Sequence, residues 1–347
     1  MLGVRDLNRT LLLRQHLLER TTAPALEMVD HLIGLQAQEN LPPYLSLAAR
    51  LEGFDPRELS DALESRQAVR FLTMRGTIHV LTPTDALTLR RWVQRALDQQ
   101  SASNQMSRPA RGVPVEDLVA TVRRLLEPGP LPVKQLGEQL ARVFPDVPAG
   151  ALAHVARERV PMVQVPPRGL WKQAGGVRYQ TVENYLGRPT TDLDEHELVR
   201  RYLRAFGPAS AADMTTWSRV TRLGPVFRSM QDELVVVECE DGKVRYDVPG
   251  APYAAGDVPA PVRLLGAYDN VWLSHANRDH IVPVEMRSRW AGVNGGVGNT
   301  VFVDGFMAGL WWWREGRVVL EVFQELSRAE RAELDSEVAA VEAMLAG

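Results

Sequence analysis

The chain holds a single cysteine, Cys239, in 347 residues. One thiol closes no internal disulfide and supplies no thiolate cluster for zinc. Next to the apolar run 234–237 it reads as a small buried hydrophobe. No apolar run approaches membrane-spanning length, and Arg5, Asp6, Arg9 and Arg14 interrupt the first leucines, which removes the hydrophobic stretch a secretory signal needs. A basic excess is missing too: 40 Lys and Arg stand against 43 Asp and Glu, a net charge of −3. That balance excludes no nucleic-acid partner, because phosphate binding needs local cation density. Much of the acid sits near the end of the chain, at Glu330, Glu333, Asp335, Glu337 and Glu342. The expectation is a soluble, cytoplasmic protein with no membrane partner.

The hydrophobic fraction of 45% and charged fraction of 24% are those of an ordinary globular protein. A chain of 347 residues exceeds what one compact core usually supports, so two to four modules are expected. Residues 6–20 place Leu7, Leu11 and Leu18 near one helical face; Thr21, Thr22 and Pro24 then open a second helix carrying Leu26, Val29 and Ile33. A third helix spans 56–66 behind Asp55, and strands 68–74 and 77–82 meet at Arg75-Gly76. Three helices and a hairpin are the parts of a winged helix.

The same order returns after a polar linker at 101–112, with helices 116–126, 133–143 and 150–159 and strands 162–165, 169–173 and 177–182. It returns again as helices 195–206, 210–220 and 224–230, with strands 233–240 and 243–248 about the type I′ turn signal Asp241-Gly242. Strands at 262–265, 300–303, 309–313 and 317–323 follow, then a helix at 327–345. The spacing is too uneven for a solenoid. The fold expected is α+β: three tandem winged-helix modules around a DNA-binding channel, then a small β-barrel or sheet and a terminal helix. The expected boundaries are 1–100, 113–186, 192–250 and 260–347.

Gln36 and Gln38 lie in Gly34-Leu35-Gln36-Ala37-Gln38-Glu39-Asn40-Leu41-Pro42-Pro43. In a helix two such amides point about 200° apart; in an extended segment they share a face and can hold one water. Taken alone, the pair is a weak signal and better suits two side chains that cap and solvate a helix end. His79, on the first wing, suits a satisfied histidine as well as a DNA contact, whereas Arg75 at the turn is the better phosphate ligand. On the second wing Arg168 and Lys172 bracket Trp171, which can stack or pack. His275, Asp279 and His280 make too poor a ligand set for zinc, so no metal is expected. In Trp311–Trp313 strand alternation sends Trp312 opposite its neighbours, and core packing is expected for at least two of the three.

Several of these segments together resemble one family. They are Asp6-Leu7-Asn8 with Arg14 and Gln15, Leu35-Gln36-Ala37-Gln38-Glu39, and Met74-Arg75-Gly76-Thr77-Ile78-His79. Pro166-Pro167-Arg168-Gly169-Leu170-Trp171 follows, then Gly207-Pro208 through Asp213 to Trp217-Ser218. Leu264-Leu265 to Tyr268-Asp269, His275 with Arg278, and Val303-Asp304-Gly305 to Trp311 complete the pattern. Across nearly the whole chain they look like the AlkZ-like winged-helix DNA glycosylases, in the Gln-x-Gln branch rather than the Gln-x-Asp branch typified by YcaQ.

The resemblance implies a DNA glycosylase that releases N7-alkylated purines, bulky adducts and interstrand crosslinks included, in repair or in self-resistance to an alkylating natural product. It implies Gln36 and Gln38 as the catalytic pair that positions water at the sugar C1′, with Glu39 adjoining. Among DNA contacts it places His275 and Arg278 beside Arg75, His79, Arg168, Trp171 and Lys172. Duplex DNA is the expected partner, a monomer the expected state, and no cofactor is expected. With no lysine next to the motif, hydrolysis without a Schiff base is the better reading. A winged-helix transcription regulator and a non-catalytic damage binder remain as alternatives; the would-be recognition helices 56–66 and 150–159 carry few base-reading side chains.

Overall fold

The computed structural model describes residues 1–286 and 298–347. Its first part runs α1 (Val4–Arg14), α2 (Ala25–His31), β1 (Leu35–Gln36), α3 (Pro42–Arg50), α4 (Pro56–Glu64), β2 (Val69–Leu72), β3 (Ile78–Leu81), α5 (Pro83–Trp92) and α6 (Gln94–Ser103). Local chemistry sets the ends. Asp55 accepts from the Arg57 N–H and Pro56 occupies the first turn of α4; the Thr82 side chain does the same for Asp85 at the start of α5. The first helix is shorter than 6–20, since the chain turns at His16, whose φ is 54°. α3 was not singled out from sequence: Pro42-Pro43 begins a helix there instead of ending one, because a first-turn proline loses no hydrogen bond.

The next part holds α7 (Val115–Leu126), β4 (Leu131–Pro132), α8 (Val133–Val143), α9 (Ala149–Arg159), β5 (Met162–Gln164), β6 (Arg178–Thr181) and α10 (Val182–Leu186). β5 adds antiparallel to β2, with Arg70 opposite Gln164 and Phe71 opposite Val163, giving one six-stranded sheet in the order β1-β3-β2-β5-β6-β4. The strand expected at 169–173 is corrected: these residues form turns. Gly169 and Lys172 are left-handed, at φ 92° and 51°, and the segment docks on the first part. There Tyr44 Oη donates to the Gly169 carbonyl at 2.7 Å and the Trp171 N–H donates to Ser60 Oγ at 2.7 Å. The apolar residues Leu170 and Trp171 belong to that contact and not to a strand face.

Beyond it come α11 (Glu195–Phe206), α12 (Ala211–Ser218), α13 (Gly224–Ser229) and the hairpin β7 (Val235–Glu238) and β8 (Val244–Asp247). A second sheet is built from β9 (Arg263–Leu265), β10 (Thr300–Val303), β11 (Phe306–Arg314) and β12 (Arg317–Val322), with α14 (Asn270–Leu273) between its first two strands. Its order is β12-β11-β10-β9, so of the two forms expected the described residues make a sheet with its end strands unpaired to each other. The helix Arg328–Ala346 closes the chain, behind a Ser327/Glu330 capping box. Trp311 is in the core beneath this helix and Trp313 packs at its margin, as alternation predicts. Among the described residues no helix is long and apolar enough to cross a membrane.

One apolar core joins α1–α6, α11–α13 and part of the second sheet, while α7–α9 surround a smaller core of their own. Two ion pairs with fully buried side chains cross the larger assembly. Arg14 reaches Asp247 at 2.7 Å, and Arg50 donates to both oxygens of Asp269 at 2.7 Å each. Ser46 Oγ and the Val271 N–H satisfy further lone pairs of Asp269. Such pairs add little over apolar packing, but removing one partner leaves a buried charge uncompensated. Asp269→Ala is therefore expected to destabilise the fold by about 3–5 kcal/mol, read as a lowered urea midpoint. A loss under about 1 kcal/mol, the scale of an exposed pair, would contradict this account.

Candidate active site

α2 ends in two left-handed residues, Ile33 at φ 53° and Gly34 at φ 95°. A Cβ at position 34 would lie 2.4 Å from Leu81 Cδ2 and 3.0 Å from the Val80 carbonyl oxygen, so the position needs glycine for both conformation and space. Past it the chain straightens. Leu35 pairs with Val80 and Gln36 with His79, and the Ala37 N–H donates to the Ile78 carbonyl at 2.7 Å. Leu35 and Ala37 are anchored in the core, Gln36 is the last residue of the strand, and Gln38 stands in the bend just beyond it. Gln36 is buried and Gln38 is exposed.

Each amide carbonyl is held by one donor. Arg75 Nη2 donates to Gln36 Oε1 at 3.0 Å, and the Ile78 N–H donates to Gln38 Oε1 at 3.3 Å. An amide oxygen has two lone pairs, so each keeps one for a water or a developing cation. Arg75 Nη2 also meets His79 Nε2 at 2.8 Å, and Nη1 donates to the Trp217 carbonyl. A guanidinium only donates, so Nε2 of His79 is the acceptor and its proton sits on Nδ1, which faces the Thr77 carbonyl at 3.1 Å and Thr73 Oγ1 at 3.2 Å. Burial, then the charge of Arg219, lower the Arg75 pKa to about 9, which leaves it cationic at neutral pH.

Three of the expected DNA contacts are engaged with the protein's own groups. His79 is 1% exposed and its ring nitrogens are engaged as described. Arg75 turns back from a left-handed backbone, φ 56°, so that its terminal nitrogens serve Gln36, His79 and Trp217 instead of solvent. His275 is buried edge-on to His280, 4.7 Å between ring centres, with Nδ1 3.0 Å from Ser274 Oγ. Sequence shows charge and aromaticity at these positions; it does not show which way a turn folds.

The remaining candidates lie apart. Trp171 packs on Tyr44 at 4.9 Å and lines a 790 Å³ groove against the terminal helix, with the exposed Lys172 ammonium 5.6 Å from its ring centre. Arg278 is half-buried and donates from Nε to the Trp272 carbonyl at 2.7 Å. Arg168 alone of the expected DNA contacts shares a cavity with Gln38, one of about 490 Å³ between the shared sheet and α8 and α9. Sequence reasoning missed Arg157 of α9 in the same cavity. Its signal was a basic residue on a helix whose opposite face is apolar.

The family profile described as DNA glycosylase AlkZ-like matches residues 29–344. An interstrand DNA cross-link repair glycosylase of Streptomyces sahachiroi is 25% identical over 350 residues, covering 94% of this chain and 92% of that protein. The solved structure of Streptomyces sahachiroi DNA glycosylase AlkZ matches with a TM-score of 0.81 at 22% identity, covering 99% of this chain and 97% of that one. That likeness shows the same mixed α+β fold.

His79, His275 and His280 are all held below the ordinary histidine value of 6.5. Burial is the leading cause at each, reinforced by Arg75 at His79 and by His275 at His280. As pH falls through 6.5 the unfolded chain binds protons that the folded chain refuses, so stability is full above that pH and is lost below it. Within the window each ring contributes a slope of about 1.4 kcal/mol per pH unit. Denaturation midpoints should fall from pH 7.5 to 5, less steeply in His79→Gln; a flat profile would contradict the buried neutral rings.

Proposed function

The chain belongs to the AlkZ-like DNA glycosylase family, and on that premise we propose that it hydrolyses the N-glycosidic bond of N7-alkylated purines in duplex DNA, with Gln36 and Gln38 holding the attacking water. The observation that carries this reading is the pair of amides at the end of the edge strand, each carbonyl fixed by a single donor. Amides are poor general bases. The substrate asks for little basicity, because an N7-alkylated purine is already cationic and departs as a neutral base.

The step is a displacement. The water oxygen bonds to C1′ as the C1′–N9 bond breaks, the bonding pair stays on N9, and the water proton passes to solvent. The amide oxygens fix the water and face the positive charge that grows on the sugar. Arg75 is a positioning residue: by donating to Oε1 it selects one of the two amide orientations of Gln36. No lysine lies in 34–43, which favours direct hydrolysis over a Schiff base. Glu39, exposed beside Gln38, can relay that proton to solvent.

The relative named for cross-link repair extends the reading to bulky adducts and interstrand crosslinks, in repair or in self-resistance. In the same reading 1–100, 113–186 and 192–250 are three winged-helix modules lining a DNA channel, 260–347 is a C-terminal unit, and the working form is a cytoplasmic monomer.

The test is incubation with duplexes carrying N7-methylguanine or a nitrogen-mustard crosslink, scoring abasic sites. Wild type is expected to release base. Gln36→Ala/Gln38→Ala should lose at least about 100-fold in rate while still binding duplex. Arg75→Ala should lower kcat by about 10- to 100-fold with KM little changed, and Arg75→Lys, which keeps charge without the planar fork, should fall between. Wild-type rates from the double variant would move the chemistry elsewhere. Binding without base release by wild type would favour a regulator or damage binder.

A further inference from the structure

The charge around the Gln36–Gln38 strand differs from that of the chain as a whole. Arg70, Arg75, Arg157 and Arg168 surround it, and among the described residues none of the four is paired with a carboxylate. Two of them have structural work. Arg70 donates to the Ala37 carbonyl, between the two glutamines, at 2.6 Å, and Arg75 holds Gln36. Arg157 and Arg168 have no such task. Both line the 490 Å³ cavity that Gln38 borders, both are half-buried, and the Nε of each is buried without a hydrogen-bond partner.

The other ionisable side chains of that cavity have polar partners. Lys134 lies 4.0 Å from Glu138, and His154 lies 3.2 Å from Glu158. The cations left over are Arg157 and Arg168. Half-buried guanidiniums without a counter-charge carry a desolvation cost that a bound anion offsets. A site acting at C1′ offers one anion within a nucleotide's reach, the phosphodiester on either side of the sugar. The alkylated purine is itself cationic, so this cavity repels it.

We propose that Arg157 and Arg168 grip the DNA backbone phosphates flanking the lesion nucleotide, so that the cavity beside Gln38 seats the strand and not the base. The proposal rests on the reading of the chain as a DNA glycosylase acting at Gln36 and Gln38. It assigns Arg157, which lies outside the sequence motifs, a binding role.

The test is binding of the full chain to an undamaged duplex, by fluorescence anisotropy, over a series of salt concentrations. Withdrawing one cation from a phosphate should reduce the slope of log K against log salt by about 0.9. Arg157→Gln and Arg168→Gln are each expected to show that change, and the double variant about 1.8. Arg157→Lys/Arg168→Lys, which keeps both charges, should retain most of the slope and so separates charge from damage to the fold. The loss in base release should be carried by KM more than by kcat.

Unchanged slopes in both glutamine variants would overturn the proposal. So would equal losses in the lysine and glutamine doubles, which would make the arginines structural. Wild-type base release is measured in parallel. Its absence, with slopes that still fall in the variants, would remove the glycosylase reading and leave the phosphate grip standing.

Discussion

The pairing of β1 with β3 depends on a reversal that only glycine completes. A helix continued through position 34 would point Gln36 and Gln38 to nearly opposite sides, and a side chain there would enter the space of Leu81. Once the chain has turned at Ile33 and Gly34, the hydrogen bond from Ala37 to Ile78 fixes the register, and the register fixes which residues share a face. Two residues of strand are enough because both neighbours, Leu35 and Ala37, are anchored in the core. Gln36 belongs to the sheet itself, and Gln38, one residue past the anchored Ala37, is tied to it through the Ile78 N–H.

That sheet is also what brings the second group of helices to the site. β5 adds to β2 at the strand next to β3, so α8 and α9 arrive opposite the edge where Gln38 stands. On the other side Arg75 connects the same edge to the Trp217 carbonyl at the end of α12. The turn that carries Arg75 is thus a junction between parts far apart in sequence. A substitution there is felt at Gln36 without touching substrate.

Helices and hairpins were the legible features, because their periodicity is written in the residues. α7, α8 and α9 match the expected spans to within a residue, whereas the spacing of the two amides left a helix end and an extended segment both open, and the chain is extended at Leu35–Gln36. What eluded the sequence was burial of polar groups. Arg75, His79 and His275 look like surface contacts until the packing around them is known: Arg75 turns inward to Gln36 and Trp217 on other elements, His79 meets Arg75, and His275 packs against His280. Residues 169–173 failed for the opposite reason: apolar residues bound for a docking contact imitate a strand. α5 and α6 were missed as polar helices with modest apolar stripes, the second running into the presumed linker at 101–112.

The use of an amide at position 36 follows from the charge around it. A carboxylate there, 3.0 Å from the Arg75 guanidinium, would form a largely buried ion pair. The pair would hold the carboxylate's electrons in place and depress its pKa, removing the basicity for which a carboxylate would be chosen. An amide accepts one hydrogen bond from the same guanidinium, stays neutral, and keeps its second lone pair. In the proposed reaction that neutrality suits both partners, since the cations nearby are left for phosphate and a cationic base needs no acid to depart. An amide is therefore compatible with the catalytic role proposed for it, because the proposed substrate carries the activation.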